Sequence, residues 1–471
     1  MVRVKNISLK ALSLALLVAA SGCSSGPVKA VGGIFSGGDD KKKEGEAPAE
    51  ENRISILTVD QKIEADPRFA GQPIEVAPAY KNVSWTQPGG EADHTLHHLS
   101  ASLTFERAWT ADIGKASGKR ARITAPPVIA EGKLYVLDAE AKVTAFDSAT
   151  GATLWERELA PELDEKKRLR DFMVRTKPSE LGFGGGVAFD DNKVFVTSGF
   201  GFAAALNAET GEELWRTKTD SAVRTPPTAY RGAVYFVTNT NEAIALAQSD
   251  GKRRWGFQSF EESARILSAA SPAAAGDLVV APFSSGEVVA FMADNGRALW
   301  NDTLARNTTL TALSELNDIA GSPVIDRGLV YVVSHAGKLI AIDLRSGERA
   351  WEAPVASLQM PWVAGDFVYI VSVEGELVCL KRDDGAVMWV SQLERYKNEK
   401  KRKGRIAWSG PVLAGGSLIL VSTQGDIVKA SPQDGTFEEA AELGDGSIIP
   451  PIVADDMVYL LSDSGKLYAF R

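Results

Sequence analysis

GSPVIDRGLVYVVSHAGKLIAIDLRSGERAW, residues Gly321 to Trp351, contains one complete unit of a repeating pattern. It divides into four β-rich runs: Gly321 to Ile325, Gly328 to Ser334, Gly337 to Asp343, and Ser346 to Trp351. The boundaries carry Gly, Asn or Asp, which accept the positive φ of tight hairpin turns. Four such strands joined by short turns make one antiparallel meander. The second run, Leu329-Val330-Tyr331-Val332-Val333, is apolar throughout. A strand with one solvated face would alternate, so this one is expected to be covered on both faces.

The unit recurs along the chain. Its third turn appears at Thr150-Gly151, Thr210-Gly211, Asp250-Gly251, Asn295-Gly296, Ser346-Gly347, Asp384-Gly385 and Asp434-Gly435. Four residues after each glycine stand Trp155, Trp215, Trp255, Trp300, Trp351 and Trp389, and then Glu439, which breaks the pattern. A period of about 38–60 residues with four strands per unit predicts an all-β fold, a β-propeller. The last unit, Ile449 to Arg471, stops before its tryptophan strand, while Trp109 sits in a matching stretch near residue 105. An N-terminal strand that completes the last unit gives eight blades and a closed ring, and closure removes the sheet edges that template aggregation. The tryptophans are expected on outer strands, where blades splay. Each would bury about 150–250 Å², on the order of 4–6 kcal/mol of gross burial as an upper bound.

Upstream of the ring, Arg3, Lys5 and Lys10 precede an apolar run, Ala11 to Ala20, and then Ser21-Gly22-Cys23. This reads as an export signal over residues 1–22, too short to span a bilayer. Ala20-Ser21-Gly22-Cys23 resembles the bacterial lipobox. The resemblance implies an acylated Cys23, and Ser24 after it favours the outer membrane. Residues 23–52, rich in Ser, Gly, Pro, Lys and Glu, are expected to be a flexible tether. Residues 53–100 read as a short helix followed by a proline-bearing irregular segment that wraps the body, and 101–471 as the propeller.

With 471 residues, 52 basic against 61 acidic side chains and two cysteines, the chain excludes a disulfide scaffold, and its acidity argues against nucleic-acid binding. No metal or cofactor is expected. His94, His97 and His98 are read as solvated linker histidines, His335 as structural and Cys379 as a buried, inert thiol. Asp147 and Asp343 are read as turn caps. The basic cluster Lys397 to Arg405 reads as a solvated loop, with an acidic partner or lipid headgroups as alternatives. The insertion Arg157 to Glu180 reads equally as a docking element or an edge cover.

The string Asp147-Ser148-Ala149-Thr150-Gly151-Ala152-Thr153-Leu154-Trp155 resembles the PQQ-type propeller repeat. Together with the lipobox, the tether and eight blades, it resembles the BamB family of outer-membrane assembly lipoproteins. That resemblance implies a non-enzymatic scaffold of the BAM complex. Its implied partners are the POTRA domains of BamA, other BAM subunits, unfolded outer-membrane β-barrel proteins, and the membrane through the lipid. The family's partner loops fall on Arg265-Ile266-Leu267 and on Asp318. The alternative is a PQQ-dependent periplasmic dehydrogenase. Such enzymes carry vicinal cysteines and longer inserted loops, which this sequence lacks.

Overall fold

The apolar second and third runs of each unit cannot leave either face in water, and the computed structural model packs every one of them between neighbouring sheets. It describes residues 63–69, 72–118, 121–161, 184–261, 270–304 and 318–471. Among these, eight four-stranded antiparallel sheets form the ring, with one two-stranded hairpin between the sixth and seventh. The blades span 128–158, 185–218, 228–258, 273–303, 324–353, 362–392, 408–442 and 452–470. The last is completed by Arg107–Asp112, which pairs antiparallel with Lys466–Phe470. The closed all-β eight-bladed ring expected from the repeats is therefore present.

Within each blade the second strand is buried along nearly its whole length, as in Leu329–Val333, while the outer strand alternates, as in Arg107–Asp112. The blade tryptophan faces a small third-strand residue: Ala145 faces Trp155, Ala205 faces Trp215, and Ala469 faces Trp109. In the sixth blade Cys379 takes the alanine's place opposite Trp389. The register slips just before each of these tryptophans, leaving Leu154, Leu214 or Ala108 unpaired. Such a one-residue bulge bends the strand and re-aims the next side chain. Here it directs the indole toward the following blade.

Each indole lies on the third-turn glycine of the next blade. A Cβ on Gly151 would sit 2.5 Å from Trp109 Cε3, and one on Gly211 2.6 Å from Trp155 Cε3. The indole N–H then donates to a carbonyl of that same turn: Trp109 to Ser148 at 3.1 Å, Trp155 to Ala208 at 2.9 Å, Trp351 to Arg382 at 2.7 Å. A second-strand tyrosine often shares the acceptor. Tyr135 also donates to Ala208 O, and Tyr235 joins Trp255 on Ala293 O. The tryptophan is thus a latch between blades as well as a filler.

Glu439 now has a physical reason. Its indole would have latched onto the third turn of the eighth blade, and that turn does not exist, because the blade's outer strand comes from the other end of the chain. In its place Glu106 and Arg471 exchange backbone hydrogen bonds of 3.1 and 2.9 Å. The bulge of the seventh blade has moved as well, so that Glu439 faces Val428 and is exposed.

The segment before the ring does more than wrap it. Asp66 donates its N–H to Val387 O on the outer strand of the sixth blade. From Asn82 to Ser102 the chain then runs once around the inside of the ring. Asn82 bonds the eighth blade, Trp85 exchanges two bonds with Ile129 of the first, and Thr86 accepts from Phe189 of the second. Gln87 joins the second and third, Ala92 meets Ala274 of the fourth, and Asp93 accepts from Ile325 of the fifth. Trp362 of the sixth donates to His97 O, and Leu99 meets Leu413 and Gly415 of the seventh. All eight blades hold this one segment.

Candidate functional site

Strand alternation sorts the turns onto two faces. The first hairpins of all eight blades and the third hairpins of the first seven lie on one face; the second hairpins and the blade-to-blade connections lie on the other. The circling segment bonds the innermost strands and their first hairpins, including Gly415 and Asp455, so it seals the first face. Trp85 and Trp362 stack inside, with ring centroids 6.2 Å apart. Among the described residues the second face carries the longest connection, 393–407.

His94 and His98 belong to the seal. The expectation of solvated linker histidines is corrected here: their relative exposures are 2% and 8%. His94 Nδ1 donates to Pro323 O at 2.7 Å, and Nε2 lies 3.3 Å from Ser271 Oγ. Burial pulls its pKa down to about 4. His98 accepts the Gly416 N–H on Nε2 at 3.0 Å and donates from Nδ1 to Ala77 O. Both rings serve as two-ended spacers between segment and blades. His97 is partly exposed, with Nε2 3.8 Å from Asp326 Oδ1. Among the described residues no three His, Cys, Asp or Glu side chains converge as a metal site. Asp147 and Asp343 cap their turns, each accepting a backbone N–H at 2.8 Å from Thr150 and Ser346; the Thr150 hydroxyl, donating at 2.7 Å, does most to lower the Asp147 carboxyl pKa, and the Ser346 N–H most to lower that of Asp343. Cys379 is fully buried, and burial pushes its thiol well above the ordinary range.

Of the partner-loop candidates, Arg265, Ile266 and Leu267 lie outside the described residues, as does most of the insertion 157–180. Asp318 stands where the connection enters the fifth blade. It is buried at 3% relative exposure, and its carbonyl accepts the His335 N–H at 3.2 Å. It therefore ties the connection to the second hairpin of its own blade and is not displayed on the surface. Near these connections the second face exposes Phe260, at 74% relative exposure, and Leu358. Neither occupies a repeat position, so the repeat does not point to them.

A ring latched by tryptophans, closed by Arg107–Asp112 on its last blade, sealed on one face and bearing its blade-to-blade connections on the other is a PQQ-like propeller. The family model for the outer membrane protein assembly factor BamB matches residues 92–176 and 139–391, and the chain belongs to that family. It is 27% identical to the Yersinia pestis BamB, covering 72% of this chain and 81% of the relative. The Burkholderia pseudomallei BamB is 26% identical, covering 80% and 90%. Among solved structures, BamB from Moraxella catarrhalis superposes with a TM-score of 0.63 at 17% identity, covering 78% of this chain and 99% of that one. A europium-containing methanol dehydrogenase superposes with a TM-score of 0.65 at 14% identity, covering 82% and 98%. At such identities the structural likeness speaks to the fold alone.

Proposed function

We propose that this chain is a non-enzymatic scaffold of the outer-membrane β-barrel assembly machinery. It is held at the periplasmic face of the outer membrane by an acylated Cys23, with residues 1–22 removed and 23–52 as tether. Its second face holds the POTRA domains of BamA alongside the other BAM subunits and presents them to unfolded β-barrel proteins. Family membership supports the assembly role. The observation that carries the binding mode is the seal: one face is filled by the chain's own residues 82–102, which leaves the loop-bearing face for partners. The same seal places a peptide held by all eight blades across one mouth of the channel.

The connection holding Arg265, Ile266 and Leu267 is the proposed contact, and the buried Asp318 serves only to position the connection that follows it. The test is co-purification from detergent-solubilised membranes followed by mass spectrometry. BamA is expected with the wild-type chain and lost with a combined Arg265→Glu, Leu267→Glu variant. Retention of BamA by that variant would move the contact elsewhere on the face; absence of every BAM subunit from the wild-type eluate would sink the assembly role.

A further inference from the structure

The connection from the outer strand of the sixth blade to the first strand of the seventh stands out from the ring. Its arms, Tyr396–Asn398 and Lys403–Arg405, pair antiparallel. Between them Glu399–Lys401 makes a single 3-10 turn, which the Asn398 side chain caps through the Lys401 N–H at 3.0 Å. The base is clamped to the sixth blade. Arg395 and Arg405 both pair with Glu374, and Arg405 Nη2 also donates to Val373 O at 2.7 Å. Both guanidinium groups lie 5.9 Å from the centre of the Tyr396 ring. Trp408 closes the base by donating to Glu394 O at 2.9 Å.

This clamp sorts the charges. The acid at the tip, Glu399, turns back and accepts the backbone N–H groups of Arg395 and Tyr396 at 3.2 and 3.1 Å. Lys397, Lys400, Lys401, Arg402 and Lys403 are all exposed. Among the described residues none of the five has an ion-pair partner, while Arg395 and Arg405 at the base are paired. Five unopposed cations on a rigid arm therefore project from a chain whose net charge is −9. The arm carries no apolar tip residue that could insert into a protein pocket or a hydrocarbon layer. Its chemistry suits a plane of negative charge.

The position of the arm selects among such planes. Asp66 bonds Val387 on the same outer strand, Val387–Gln392, whose other end leads into the arm. The chain that leads back to Cys23 thus departs from the blade that carries the arm. On the reading of residues 23–52 as a tether from an acylated Cys23, the bilayer is the negatively charged plane to which the chain is already held. We propose that the 396–405 arm is a second membrane contact, which docks on anionic lipid headgroups. A lone tether leaves the ring free to turn; a second contact would fix which way its loop face points. This inference rests on the acylated-anchor reading.

The test uses residues 63–471, which contain every strand of the ring and its seal and lack the anchor. Co-sedimentation is measured with vesicles of phosphatidylcholine alone and of phosphatidylcholine mixed with phosphatidylglycerol, at low and at physiological salt. Binding is expected only to the mixed vesicles. It should weaken with salt as the Debye length shortens, and fall about fivefold for each of Lys400→Gln, Lys401→Gln and Lys403→Gln as they are combined. The thermal midpoint should not move, because these side chains hold nothing. Equal binding by the triple variant overturns the proposal, as does absence of binding by the wild type. Capture of polyglutamate without vesicle binding would assign the arm to an acidic protein and overturn it too. The anchor is read separately, from the acyl mass on Cys23 of the membrane-extracted full chain. An unmodified Cys23 would sink the anchor and leave the vesicle result standing.

Discussion

Trp109, on the strand that the early part of the chain lends to the last blade, lies on Gly151 of the first blade and donates to Ser148 O at 3.1 Å. The same relation joins Trp155 to Gly211, where φ is +70° and a Cβ would meet the indole at 2.6 Å. Gly328 also has positive φ, +83°, with nothing within 4 Å. Gly328→Ala should therefore cost only the backbone strain, about 1–2 kcal/mol. Gly211→Ala should cost more, because the indole must move as well. Urea denaturation of the two variants checks this, and equal losses would mean that the latch does not constrain the glycine.

Replacing a latch and adding one should be unequal. Trp389→Ala removes an indole that is 8% exposed and its bond to Pro432 O, and should cost about 3–5 kcal/mol. Glu439→Trp should leave the thermal midpoint nearly unchanged, because the eighth blade offers no third turn to receive it. A gain comparable to the Trp389 loss would show that some other surface accepts the indole.

Gln87 stitches the seal to two blades through bonds to Phe189 O at 3.3 Å, to Ala229 O at 3.1 Å and from Ala229 N at 3.0 Å. Gln87→Ala would strand those buried backbone groups, at about 1–3 kcal/mol each before any water enters. Hydrogen exchange should show Ala229 losing protection while the outer strands keep theirs. Unchanged protection at Ala229 would mean that the seal does not depend on this side chain.

His94 makes the seal sensitive to acid. Its folded pKa, about 4, lies below the ordinary 6.5, so between these values the unfolded chain binds the proton and the folded chain does not. Stability from this group is complete above about pH 6.5 and falls as pH drops toward 4, by about 3 kcal/mol at most. Denaturation at pH 7 and pH 4.5 should show the wild type losing more than His94→Gln. Parallel losses would remove His94 as the cause.

Cys379 offers a quieter check. The facing position is Ala in the first five blades and in the eighth, so Cys379→Ala should cost less than about 1.5 kcal/mol. The thiol should react with maleimide only under unfolding conditions, and prompt labelling of the folded protein would contradict its burial.

The blades were legible because each repeats the same solution. A glycine at fixed distance from a tryptophan recurs often enough to announce the period, and Ile449 to Arg471 ends visibly short of its last strand. The tryptophans' partners were not legible, since nothing in one unit says that its indole bonds the next. The seal was harder still. Asn82, Gln87 and His94 each make a few bonds to blades that differ from one residue to the next, and bonds of that kind leave no period. Isolated polar residues among prolines look solvated, and the ring that buries them is built from residues far along the chain. The basic arm was visible as charge; its clamp on Glu374 and the inward turn of Glu399 were not.

The segment that circles the inner strands is made before any blade, yet its last partners, Asp455 and Asp456, lie sixteen and fifteen residues from the end of the chain. Synthesis order and assembly order are therefore opposed. The seal cannot close until the eighth blade has been made, so a chain interrupted before Asp455 leaves residues 82–102 without their last partners.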